Sequence, residues 1–216
     1  MRPAFVVTGT DTDVGKTVLA AALVAALDGC YWKPVQAGLA EETDAEIVRR
    51  LAVVPADRII PEVYRLTTPA SPHLAAERDR VEIDVERLAT LPMAGGARPL
   101  FIEGAGGLMV PLTRRFLQIE LFARWGLPVI LCASTRLGTI NHSLLSIEAL
   151  RRRGVPLLGI AFVGDEQADS ERTIVEMGSA HRLGRLPRLD PLDAATLRAA
   201  FEQNFRRSDF LADAST

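Results

Sequence analysis

Continuous apolar runs, bounded by glycine or proline and separated by longer mixed segments, set the rhythm of the chain. Residues 4–8 (AFVVT), 31–35, 98–103 (RPLFIE), 127–133 (LPVILCA), 156–163 (PLLGIAFV) and the short 182–186 predict six strands. Runs without polar alternation mark strands buried on both faces, as in a parallel sheet. Between them, residues 18–27 (VLAAALVAAL) are rich in the residues that favour helix. Thr43-Asp44-Ala45-Glu46 has the form of a capping box and opens a helix through Leu51. Residues 116–125 predict a helix stopped by Gly126. Residues 140–153 predict another, closed by three arginines that suit its C-terminal dipole and by Gly154. A last helix is expected near 193–203. Strand, loop and helix in repetition give the fold class α/β: one doubly wound, mostly parallel sheet over residues 1–207, with 208–216 as a flexible tail. The Pro-rich stretch 55–72 reads as an excursion over the surface.

Composition narrows the picture. With 48% hydrophobic and 24% charged residues the chain is not a disordered polymer. No uncharged run exceeds 11 residues, well short of the roughly 18 needed to span a bilayer. The net charge of -2 is spread without blocks, so neither a nucleic acid nor a membrane is expected as partner. Cys30 and Cys132 lie in apolar runs and are expected as reduced thiols. The expectation is a soluble cytoplasmic protein.

Of the 25 basic residues only two, Lys16 and Lys33, are lysine. An ammonium is a compact point charge on an anion where a guanidinium fork is larger and differently shaped. Lys16 belongs to Gly9-Thr10-Asp11-Thr12-Asp13-Val14-Gly15-Lys16-Thr17, set between the first strand and the first helix. Five residues separate its glycines, one more than the usual P-loop spacing, but the chemistry is that of a P-loop. Gly15 permits close backbone approach and the helix N-terminus presents N–H groups to phosphate. Lys16 neutralises the outer phosphates, and the Thr17 hydroxyl is a ligand for Mg²⁺. Lys33 ends the second strand, where it faces the same anion or is a surface residue. Asp44 sits at a helix start, which the helix dipole alone explains. Glu103 closes a buried strand before Gly104-Ala105-Gly106-Gly107, the position expected of a carboxylate that holds Mg²⁺; a solvated strand end is the alternative. Gly138, Thr139, Ile140 and Asn141 open a helix and form a second anion site or a plain helix cap.

These segments, together with Lys33-Pro34-Val35, Ser71-Pro72-His73, Pro111-Leu112 and Leu137 to His142, resemble the dethiobiotin synthetase family over most of the domain. The resemblance implies a P-loop NTPase-like fold and an ATP- and Mg²⁺-dependent cyclo-ligase. Its reaction is carboxylation and ring closure of 7,8-diaminononanoate with CO₂. It implies Lys16, Lys33 and Thr12 as catalytic, Mg²⁺ at Thr17, Asp44 and Glu103, and phosphate contacts from Asp13, Val14, Gly15, Lys16, Thr17 and Val18. Gly104, Ala105 and Gly106, with Pro187, Arg188 and Leu189 after the sixth strand, would flank the nucleotide. Substrate would meet Lys33 and Ala37, and its distal carboxylate would meet Gly138, Thr139, Ile140 and Asn141 of a neighbouring subunit in a homodimer. Ala37 stands where the family often has a hydroxyl residue, and Val163-Gly164-Asp165 where members often carry an adenine-reading Asn. The rival reading is a P-loop switch ATPase of the partitioning or cell-division type. Such proteins carry a lysine early in the loop, and residues 10–13 contain none.

Overall fold

The computed structural model describes residues 2–93 and 96–211. In chain order the elements are β1 (Ala4–Gly9), α1 (Lys16–Ala26), β2 (Cys30–Trp32), β3 (Val35–Ala37), α2 (Asp44–Ala52), β4 (Ile59–Ile60), β5 (Tyr64–Leu66), α3 (Pro72–Asp79) and α4 (Val85–Ala89). Then follow β6 (Leu100–Gly107), β7 (Pro111–Thr113), β8 (Phe116–Leu117), α5 (Gln118–Trp125), β9 (Val129–Ser134), α6 (Thr139–Arg152), β10 (Leu157–Val163), α7 (Ala168–Gly178), β11 (Arg182–Leu186) and α8 (Ala194–Asn204). Seven strands form the central sheet in the order β11-β10-β9-β1-β6-β2-β4, every pairing parallel.

Alternate residues of these strands feed two cores. Phe5, Val7, Phe101 and Cys132 pack under α1, α2 and α8. Val6 meets Ile119 and Phe122 of α5 and Leu150 of α6 on the opposite face, and Leu131 meets Ile147 of α6 and Ile174 of α7. Both faces are therefore covered, which accounts for strands without polar alternation. The chain runs outward from β1 to β4 on one side and to β11 on the other. The loops at the carboxyl end of β1 thus surround the crevice where such sheets hold ligands.

Several expectations need correction. The strand expected over 31–35 is two strands: β2 ends at Trp32, and β3 pairs with β5 outside the central sheet. Pro34 has no N–H for a ladder, and its carbonyl instead accepts from the Val63 and Tyr64 amides at 2.9 and 3.0 Å. The stretch 55–72 is more than a surface excursion, because β4 joins the central sheet and Tyr64 and Leu66 enter a separate core with Val35 and Leu112. Phe116–Leu117 is a short strand before α5. α7 escapes the hydrophobic pattern because Ile174 is its one large apolar side chain that is fully buried. The tail expected from residue 208 is ordered to Leu211: Arg207–Asp209 form a 3₁₀ turn, and Phe210 lies 6.1 Å from Phe201 and 6.5 Å from Phe205 between ring centres. Residues 212–216 lie outside the described residues. Both cysteines are buried and unpaired, and among the described residues no helix is long and apolar enough to cross a membrane.

Candidate active site

β1 ends at Gly9, and the loop to α1 turns so tightly that a Cβ on Gly9 would lie 2.7 Å from the Asp11 carbonyl oxygen. Asp13 and Gly15 both adopt positive φ, 55° and 95°. Gly15 also faces Val163 at the end of β10, where a Cβ would come within 2.7 Å of Val163 Cγ1. Glycine is required there both for its backbone conformation and for the approach. The loop is tied to the neighbouring strand: Thr10 N donates to the Cys132 carbonyl at 2.9 Å, and the Cys132 thiol donates to the Val14 carbonyl at 3.4 Å. Lys16 is 7% exposed and donates to the Asp11 carbonyl at 2.9 Å. Burial pushes its ammonium below the usual lysine value against the pull of Glu103 and Asp44, with Lys33 adding repulsion. A group held this way gains from an incoming phosphate, which restores the charge stabilisation that water no longer supplies.

One residue further into α1, Thr17 Oγ1 lies 2.8 Å from Asp44 Oδ1 and 2.9 Å from Glu103 Oε1. Lys33 Nζ donates to Asp44 Oδ2 and, at 3.2 Å, to Glu103 Oε1. Tyr31 Oη donates to Glu103 Oε2 at 2.8 Å. Four segments far apart in sequence supply this cluster. Asp44 arrives at the first turn of α2, whose N-terminus is fixed by reciprocal bonds between Thr43 and Glu46. Glu103 is delivered by the register of β6, which pairs Val7 with Glu103 and Tyr31 with Phe101.

Lys33 and Glu103 are almost wholly buried, at 6% and 1% exposure. Burial lowers the Lys33 ammonium, but Glu103 and Asp44 outweigh it and leave it above the ordinary lysine value. Burial likewise raises Asp44, and Lys33 with the Thr17 hydroxyl overcomes it to hold the carboxyl below its usual range.

A hydroxyl has one proton, so Thr17 can satisfy only one of the two carboxylates it touches at any instant. Two carboxylate oxygens and a hydroxyl oxygen crowded in this way are a hard, all-oxygen donor set that suits Mg²⁺. Among the described residues no group of three or more His, Cys, Asp or Glu side chains is assembled for a metal.

The other predicted residues lie on separate elements and loops. Thr12 is exposed on the loop, its amide bonded to Asp11 Oδ1 at 2.7 Å. β6 continues through Gly104–Gly107, expected as loop, so the Gly-rich segment lies along the phosphate loop: a Cβ on Gly107 would be 3.5 Å from the Gly9 carbonyl oxygen. Ala37 ends β3 and packs partly into the second core. Arg188 is exposed and pairs with Asp165 at 3.5 Å, joining the loops after β10 and β11. Gly138 caps α6 with φ 97° and Asn141 is exposed. Among the described residues these α6 positions make no hydrogen bond to the Lys33 cluster.

Sequence reasoning missed two residues. Tyr31 was read only as part of a strand, although a phenol in an apolar run two residues before Lys33, on the same face, must find a polar partner when buried. Gln118, 3% exposed, braces the Gly-rich segment by accepting from Ala105 N at 2.6 Å and donating to the Gly107 carbonyl at 3.1 Å.

Comparison with known proteins agrees with this geometry. Residues 3–196 match a family described as AAA domain. The chain is 64% identical over 214 residues to an ATP-dependent dethiobiotin synthetase BioD of Rhodopseudomonas palustris strain TIE-1, covering 99% of this chain and 100% of that protein. It is 60% identical over 211 residues to the protein of that name from Nitrobacter hamburgensis, covering 98% of each. Solved structures share the fold at low identity. A ParA family ATPase from Chlorobium tepidum has TM-score 0.54 and 10% identity over 94% of this chain and 91% of that one. The MinC:MinD complex of Aquifex aeolicus has 0.56 and 14%, over 92% and 86%. The central sheet and the loop between β1 and α1 have a P-loop NTPase-like fold, and the chain belongs to the dethiobiotin synthetase family.

Proposed function

We propose that this protein is an ATP-dependent ligase that carboxylates 7,8-diaminononanoate and closes the product to dethiobiotin. The observation that carries the reading is the placement of Lys33, from outside the phosphate loop, in one cluster with Thr17, Asp44 and Glu103. A nucleotide-binding module needs only the loop. A second buried ammonium is what an anionic co-substrate beside the nucleotide requires.

In the proposed reaction a neutral amine attacks CO₂ and loses a proton to become a carbamate. A carbamate oxygen attacks the γ-phosphorus of ATP, and ADP leaves. The second amine then attacks the carbamoyl carbon, phosphate leaves carrying the proton that amine gives up, and the cyclic urea closes. No step demands a protein nucleophile. Carbamate and triphosphate repel each other, so the protein contributes concentrated positive charge from Lys16 and Lys33, fixed before the reaction begins, and alignment. Thr17, Asp44 and Glu103 would hold Mg²⁺, which when bound neutralises charge on the transferring phosphoryl group. Backbone N–H groups from Gly138, Ile140 and Asn141 of a second copy would receive the distal carboxylate, since a helix N-terminus favours an anion, while the Thr139 amide is already bonded to the Arg136 carbonyl at 3.1 Å and would shape the turn. Thr12, Gly104, Ala105, Gly106, Pro187, Arg188 and Leu189 would line the nucleotide.

The test is phosphate release with Mg²⁺ and bicarbonate, with and without 7,8-diaminononanoate, using ATP, CTP and GTP in parallel and mass analysis of the product. Release that requires the diamine and yields dethiobiotin supports the reading. Release indifferent to the diamine refutes it and favours a switch ATPase.

A further inference from the structure

The two oxygens of the Glu103 carboxylate have different neighbours. Oε1 faces Thr17 and Lys33, at 2.9 and 3.2 Å. Oε2 is bonded to the Tyr31 hydroxyl at 2.8 Å. Tyr31 has no exposed surface and Glu103 only 1%, so water does not replace the phenol. A phenylalanine would serve the surrounding packing equally well, since the ring stands among Phe5, Leu19 and Phe101 in the same core. The hydroxyl is therefore explained by its partner alone: a buried O–H is costly unless bonded, and a carboxylate is its strongest acceptor.

The backbone makes the pairing specific. Tyr31 and Phe101 are register partners in β2 and β6, and Glu103 is two residues further along on the same face. The phenol reaches forward by one strand repeat to the carboxylate. Lys33, two residues after Tyr31, reaches the other oxygen of the same group.

We propose that Tyr31 is a positioning residue: it holds Glu103 Oε2 and so presents Oε1 alone to the cation site beside Thr17. Without the phenol the carboxylate is free to rotate and to offer either oxygen or both. The inference rests on the cation role proposed for Glu103. Outer partners of metal ligands commonly change metal affinity by about 10- to 100-fold, and a tenfold loss is expected here.

The experiment is Mn²⁺ titration of the full chain in the presence of ADP, followed by electron paramagnetic resonance of the free ion, with parent, Tyr31→Phe, Glu103→Gln and the double variant. Thermal melts monitor folding. Tyr31→Phe is expected to weaken Mn²⁺ about tenfold, Glu103→Gln to weaken it at least as much, and the double variant to match Glu103→Gln. Parent-like Mn²⁺ affinity in Tyr31→Phe beside a weak Glu103→Gln overturns the positioning role and leaves the cation site standing. Parent-like affinity in Glu103→Gln overturns both. Additive losses in the double variant also overturn the positioning role, since Tyr31 would then act by a route that bypasses Glu103.

Discussion

Replacing Lys33 by Met removes the ammonium that touches both carboxylates of the cluster while keeping an unbranched apolar stem. Glu103 is then a carboxylate at 1% side-chain exposure, with the Tyr31 and shared Thr17 hydroxyls as its hydrogen-bond partners and the Lys16 ammonium as the remaining nearby positive charge. Asp44 keeps some solvent, at 24%. Breaking a buried ion pair by removing one partner costs about 3–5 kcal/mol. The exposure of Asp44 places this case near the lower end, about 3 kcal/mol, against the roughly 5–15 kcal/mol that holds a domain folded. Urea unfolding in EDTA measures it. Two further arms test the cause. In Lys33→Met/Glu103→Gln the second change should recover at least about 1 kcal/mol, as expected for residues in contact. Excess Mg²⁺ should stabilise Lys33→Met more than the parent, because the cation no longer competes with an ammonium for the same oxygens. At a hundredfold excess over its dissociation constant a ligand adds about 2.7 kcal/mol. A Lys33→Met variant within about 1 kcal/mol of the parent in EDTA, or one whose loss is indifferent to Glu103→Gln, refutes the reasoning.

Lys16→Gln should lower turnover by at least about 2.7 kcal/mol of transition-state stabilisation, near a hundredfold, with the fold intact by circular dichroism; near-parent turnover would contradict its role on the phosphates. Gly15→Ala meets both a φ of 95° and a contact of 2.7 Å to Val163, so it should cost about 1–2 kcal/mol from the backbone alone and weaken nucleotide binding measured by calorimetry. The Cys132 thiol is pushed up to about 12 by burial, and Cys30 is raised for the same reason. Neither should react with an aromatic disulfide reagent at pH 8 until the chain is unfolded. Because the unfolded thiol gives up its proton near pH 9 and the folded Cys132 only near 12, stability should fall across that interval. Cys132→Ala should flatten this alkaline limb in urea titrations, and an unchanged slope would assign it to other groups.

The sheet was legible because its strands are uniformly apolar, and the phosphate loop because its chemistry survives an extra residue between its glycines. What escaped was what long-range pairing decides. Residues 31–35 look like one strand, yet Pro34 cannot donate to a neighbour, and the chain leaves the sheet there to pair with a segment 29 residues away. That departure turns Lys33 out of the ladder at the crevice. α7 buries too few apolar side chains for its period to show. Residues 208–211 read as part of a flexible tail because one aromatic, Phe210, carries their docking against Phe201 and Phe205. Lys33, Asp44 and Glu103 could be proposed one at a time, each with a bland alternative. Their convergence removes the alternative for Glu103 and Lys33, since neither is a solvated strand end.

The same convergence separates stability from use. Lys33, Glu103 and the Tyr31 hydroxyl occupy a place under α1 where apolar side chains of similar volume would pack without desolvating a charge. Replacing a whole buried ion pair with hydrophobic groups is often neutral or stabilising. The neighbouring positions Phe5, Val7, Phe101 and Ile130 on the same face are all apolar. The position of these charges at the end of the sheet where the β1–α1 loop, a Gly-rich strand end and a helix N-terminus meet is what the proposed ligand site would require. Two ammonium groups and two carboxylates give a site that is balanced internally before anything binds. Under the proposed function an incoming cation would take over the carboxylates, and the ammonium groups would then be available to the anions that accompany it.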